Sequence, residues 1–114
     1  MKLSAGAVAA VVGWDDFSAE EALAVGHRAL AMERIFNMQH GVTAEDDINV
    51  SPRITDPAPP DAGPAAGKGI GPYLEGWVRD YYAHLGWDRK TGKPLRKTMQ
   101  KLGLEEYIPL VWGK

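Results

Sequence analysis

Six of the chain's eight prolines fall between Pro52 and Pro72, interleaved with Gly63, Gly67, Gly69 and Gly71. Proline has no N–H to donate and clashes inside a helix, so this span predicts no regular element. It reads instead as a long surface loop or wrapping arm over residues 51–72. The loop divides the 114 residues into two ordered stretches. A chain of this length supports one modest core, so the two stretches are expected to pack on each other as a single domain, 1–114. Apolar residues at 45% and charged residues at 25% place the chain in the ordinary globular range, well away from disordered compositions.

Both ordered stretches carry helical signals. Ser18-Ala19-Glu20-Glu21 has the form of a capping box, and Ala22, Val25, Ala29, Met32 and Phe36 follow helical spacing, widened by Leu23, Leu30 and Ile35, until Gly41 stops the run. Pro72 suits a first helical turn, and Leu74, Trp77, Val78, Tyr81 and Leu85 form a stripe that ends at Gly86. A shorter helix is predicted from Pro94, with Leu95, Met99 and Leu102 on one face and Gly103-Leu104 as a Schellman-type stop. The tail Tyr107–Trp112 reads as an extended apolar strap. At the other end, Lys2 and the run Leu3–Val12 outline a signal peptide. The run is rich in Ala and Gly, lacks a small-x-small cleavage pattern and is too short to span a bilayer. A short packed helix in a cytoplasmic protein is the better reading. The fold class is therefore all-α, a small domain of about four helices with one long Pro/Gly loop.

Composition excludes several chemistries. Cysteine is absent, which removes disulfides, thiolate nucleophiles and Cys-ligated zinc or iron–sulfur sites within this segment. The net charge of -2 offers no field for phosphate backbones or anionic lipid, so neither nucleic acid nor membrane is an expected partner. His27, His40 and His84 match no metal-ligand spacing. Adjacent acids such as Asp15-Asp16, Glu20-Glu21 and Glu45-Asp46-Asp47 sit at helix starts, where the helix dipole favours them. Gly63–Gly71 has the wrong glycine spacing for a phosphate loop, and Gly follows its Lys68. No serine lies in a nucleophile elbow. The residues taken alone describe a helical scaffold without catalytic or metal-ligating residues of its own.

One face of the long helix is less bland. Glu33, Arg34 and Asn37 lie beside apolar neighbours, a placement that calls for hydrogen-bond partners. Gly13-Trp14-Asp15 recurs as Gly86-Trp87-Asp88, each after a helical segment, with glycine placed for a left-handed cap.

These landmarks carry a resemblance. Gly13-Trp14-Asp15, Glu20-Glu21, Gly26-His27-Arg28 and Met32-Glu33-Arg34-Ile35-Phe36-Asn37 are followed in order by Gly41, Asp46-Asp47 and Ser51-Pro52-Arg53. Tyr81-Tyr82, Gly86-Trp87-Asp88 and Lys101-Leu102-Gly103-Leu104 complete the series. Over roughly Val8 to Leu104 the chain resembles the C-terminal region of the aldehyde ferredoxin oxidoreductase family. It departs from the family in lacking a Leu before Pro52 and in starting a helix with Gly71-Pro72 instead of acidic residues, which suggests a divergent branch.

The resemblance implies a parent enzyme that acts on aldehydes or carboxyl-derived groups. It would hold a tungsten- or molybdenum-bispterin and a [4Fe-4S] cluster, and pass electrons to ferredoxin. The family's cluster cysteines lie upstream of the matching segment, so the chain reads as a piece of the longer enzyme that holds no cofactor itself. What remains for it is to wall the cofactor and substrate tunnel. Glu33, Arg34, Asn37, Asp46, Asp47 and Arg53 are the candidates for polar contacts with upstream domains of the same enzyme. The alternative is a stand-alone helical interaction module or docking subunit.

Overall fold

The computed structural model describes residues 2–113, and among these it contains six helices and no strand. They are α1 (Lys2–Val12), α2 (Ala19–Gln39), α3 (Pro52–Thr55), α4 (Gly71–His84), α5 (Arg96–Lys101) and α6 (Ile108–Trp112). The all-α expectation holds. Two helices more than expected appear because α3 and α6 span four and five residues, too few for hydrophobic periodicity to register. Each has proline in its first turn, where the missing N–H costs nothing. The Pro/Gly span is thus not wholly irregular. It contains α3, a 3-10 turn at Gly63–Ala65, and a short pairing in which Ala58 donates to Lys68 and accepts from Gly67. The tail is likewise helical, not an extended strap: a 3-10 turn at Glu105–Tyr107 leads into α6.

Helix boundaries follow local chemistry. The Ser18 hydroxyl accepts from the Glu21 N–H at 3.0 Å and starts α2. At the end of α4, Gly86 adopts φ 70°, its N–H donates to Ala83, and that of Trp87 donates to Tyr82. This is the Schellman pair of bonds, and it turns the Trp87 ring back onto Tyr82. Gly41-Val42 and Gly103-Leu104 make the same pair of bonds to α2 and α5. Leu95 stays extended, so α5 starts at Arg96, two residues later than Pro94 suggested.

The core has two parts. Ala31 and Ile35 of α2 meet Met99, Leu102, Leu104 and Val111 in one cluster, while Tyr82, Leu85 and Trp87 form the other. Polar ties hold the C-terminal segment to α2: Arg28 Nε donates to the Leu102 carbonyl at 2.8 Å and Gln39 Nε2 to that of Leu110 at 2.8 Å. Trp112 Nε1 donates to the Pro94 carbonyl.

Two predicted faces are met in part: Ile35 and Met32 of the α2 stripe and Val78 and Leu85 of the α4 stripe do pack on the core, while other members of each stripe do not. On α2 the core side is Ala31, Arg34, Ile35 and Met38, whereas Val25 and Phe36 are exposed, Phe36 at 63%. On α4 the core side is Val78, Tyr82 and Leu85, leaving Trp77 and Tyr81 exposed, with Trp77 stacked on Tyr73. Helix α1 forms as predicted but is hardly packed: Ala5 is buried while Leu3 is 92% and Val11 86% exposed. Periodicity identifies an apolar face, and these helices have more than one.

Met99 is fully buried in the larger cluster. Met99→Ala is expected to lower the unfolding free energy by about 2–5 kcal/mol. Val11→Ala, at an exposed position, is expected to change it by less than about 0.5 kcal/mol, a contrast that urea denaturation of the two variants measures.

Candidate functional site

Arg34 projects from α2 between the two halves of the core and is 6% exposed, the one buried charged residue among those described. A guanidinium taken from water needs partners for its N–H groups. Its Nε donates to the Gly92 carbonyl at 3.1 Å, Nη1 to Asp47 Oδ2 at 2.7 Å and Nη2 to the Tyr82 hydroxyl at 3.3 Å. The Tyr82 hydroxyl in turn donates to Asp47 Oδ2. The guanidinium carbon lies 5.4 Å from the Tyr82 ring centroid and 5.9 Å from that of Trp87, within cation–π range. One cation thus joins α2, the loop carrying Asp47, α4 and the turn ending at Gly92.

That turn is shaped for the contact. The Asp88 carboxylate accepts from the Thr91 hydroxyl and from the Thr91 and Lys90 N–H groups, bonds that hold it below the ordinary carboxylate range. Gly92 has φ 65°, and a Cβ there would lie 2.4 Å from Arg34 Nη2 and 2.8 Å from Tyr82 Cζ. Only glycine lets the backbone come this close. Burial first, and then the hydrogen bond to the Asp47 carboxylate, pushes the Tyr82 phenol up from 10.0 to about 12.

Four of the six sequence candidates converge here. Arg34 and Asp47 pair directly, and Glu33 and Asn37 line the same cleft of about 270 Å³, walled by Leu30, Val78, Tyr81 and Trp87. The other two stand apart. Asp46 accepts from the Thr43 N–H at 2.7 Å and from its hydroxyl at 2.9 Å, a turn-capping role that lowers its own pKa. Arg53 is exposed on α3, away from the cleft. Sequence reasoning missed Tyr82, Trp87 and Gly92 as parts of one site. Tyr82 lies on the core side of α4, and the Asp88-to-Gly92 stretch is a recognisable turn signal, yet neither names the cation it serves. His27 and His84 share a separate cleft with Glu20 and Lys101. Among the described residues no three His, Cys, Asp or Glu come together as a metal set.

The family described as aldehyde ferredoxin oxidoreductase, domains 2 and 3, matches residues 1–104. The chain belongs to the aldehyde ferredoxin oxidoreductase family. Similar proteins include the tungsten-containing aldehyde ferredoxin oxidoreductase of Pyrococcus abyssi, 33% identical over 99 residues that cover 87% of this chain and 16% of the relative. The enzyme of the same name from Thermococcus kodakarensis is 32% identical over 99 residues, covering 87% and 16%. That of Pyrococcus furiosus is 32% identical over 98 residues, covering 86% and 15%. This aldehyde ferredoxin oxidoreductase segment therefore spans about one sixth of the length of the relatives it matches. No solved structure gives a significant match.

Tyr82→Phe removes the hydroxyl that serves both Arg34 and Asp47, and is expected to cost about 1–3 kcal/mol in urea denaturation at neutral pH. The phenol's pKa is raised by folding, so its contribution is complete below pH 10.0 and is lost as pH rises towards about 12. The stability gap between wild type and Tyr82→Phe should therefore shrink over that interval. Using the difference between the two proteins cancels the upward shift that Glu106 imposes on Tyr107.

Proposed function

We propose that this chain is the C-terminal helical domain of a tungsten- or molybdenum-pterin oxidoreductase, non-catalytic alone, that packs over the cofactor-bearing domains and walls the cofactor and its substrate tunnel. The observation that carries this reading is the openness of the fold. The radius of gyration is 18.2 Å, where a compact domain of this length has about 13 Å. The accessible surface is 8169 Å², against about 6,100 Å² for a folded monomer of this mass. The difference, about 2,000 Å², exceeds the roughly 800 Å² that each partner buries in a standard interface. Leu3, Val11, Val25, Phe36 and Trp77 supply apolar surface for such a contact.

The described residues do not fit the metal centre or the cluster as resident groups. There is no cysteine and no assembled metal-ligand set, and every buried side-chain polar atom among them already has a partner. In this reading the tungsten- or molybdenum-bispterin, the [4Fe-4S] cluster and the surface that meets ferredoxin belong to the rest of the enzyme, and no chemical step is assigned to these residues. The contribution here is mechanical: the Arg34 clamp fixes the angle between α2 and α4 and so the shape of the covering surface. No helix of the described residues is long and apolar enough to cross a membrane.

Separating an extract of the source cells by size, locating peptides from Trp14 to Gly103, and assaying that fraction for tungsten, molybdenum and iron tests the proposal. A polypeptide several times longer, carrying iron and one of the two heavier metals, is the expected result. A metal-free polypeptide of about this length would overturn it in favour of a stand-alone interaction module. A metal-bearing complex in which this chain is a separate polypeptide would make it a docking subunit.

A further inference from the structure

The cleft beside Arg34 has a chemistry that the clamp does not use. At about 270 Å³ it is smaller than the roughly 300–1,000 Å³ of small-molecule sites and is sized for one side chain. Its walls are apolar and aromatic, with Tyr81 half exposed and Trp87 buried. Its rim is acidic and uncommitted. Among the described residues no hydrogen bond or ion pair engages the side chain of Glu33 or Asn37. Both bonds received by Asp47 go to Oδ2, so Oδ1 is not used. The Arg34 charge is offset by Asp47, which leaves the Glu33 charge uncompensated.

From this geometry we infer that the cleft is a socket for a cationic side chain, a guanidinium or ammonium on an aliphatic stem, presented by the remainder of the same polypeptide. The stem would lie along Leu30 and Val78, and the charge would sit between Glu33, Asn37 and the free oxygen of Asp47, facing the Tyr81 ring. An apolar knob or an anion would instead bury Glu33 without a partner or against a like charge. The choice of occupant rests on the function proposed above and on the surface left uncovered around the cleft. The family relatives extend far beyond the length matched here, which leaves ample chain to supply the cation.

The test uses the native species recovered from source cells and the same species carrying substitutions. Carbodiimide-driven amidation of Glu33 is timed in the native protein and after unfolding in urea, and this carboxylate is expected to react several-fold more slowly in the native state. Glu33→Met, which keeps the shape and loses the charge, should lower the melting temperature of the native species, and Glu33→Lys should lower it further. A long, metal-bearing polypeptide in which Glu33 reacts at its unfolded rate, or in which Glu33→Met melts at or above wild type, would overturn the socket and leave the domain assignment standing. Protection that dialysis removes would reveal a diffusible cation and overturn the docking assignment. A native species of only this length would overturn the socket and the domain assignment together.

Discussion

The structure depends on where the Arg34 charge goes. A buried guanidinium is stabilising only when its donors are used and its charge is balanced, and here both conditions are met by groups far apart in sequence. Asp47 balances the charge, Gly92 accepts through its backbone, and Tyr82 and Trp87 present ring faces. This contact ties Tyr82 of the smaller cluster to α2, alongside the Thr98 hydroxyl that donates to the Gly86 carbonyl and ties the end of α4 to α5. The short interlocking bonds around Asp88 and the close approach at Gly92 both read as accommodations to the same cation.

Much of the helical framework was legible in the sequence because it is written in local signals. Ser18 capping Glu21, Gly41, Gly86 and Gly103 stopping helices, and Pro72 entering one are all consequences of backbone donors and dihedral preference within a few residues. The helices α3 and α6 escaped notice because a four- or five-residue helix has no period to detect. The faces of α2 and α4 were legible only in part, through Met32, Ile35, Val78 and Leu85. Ala22, Val25, Ala29, Met32 and Phe36, widened by Ile35, do form an apolar stripe, but Ala31 and Met38 are apolar as well, and the core takes these two with Ile35 and Met32 while Val25 and Phe36 stay exposed. A pattern of hydrophobicity cannot say which of two apolar faces meets this chain's own core.

The candidate site was legible in part for the same reason. Arg34 stood out as a charge among apolar neighbours, and Glu33, Asn37 and Asp47 proved to share its cleft. Asp46 did not, because its neighbour Thr43 already supplies two donors. Arg53 is exposed on α3 and does not line the cleft. The partners Tyr82 and Gly92 lie 48 and 58 residues from Arg34, a distance over which local chemistry carries no information.

The exposed stripe of α2 joins the fold to its use. The chain keeps one apolar face for itself and leaves another bare, with a radius of gyration well above that of a compact domain, and the covering role proposed above rests on that bare face. Hydroxyl-radical footprinting of the native species against the isolated chain tests this most directly. Phe36, Val25 and Trp77 are expected to be oxidised in the isolated chain and protected in the native species, while Met99 and Trp87 resist in both. Equal oxidation of Phe36 and Trp77 in the two forms would contradict it.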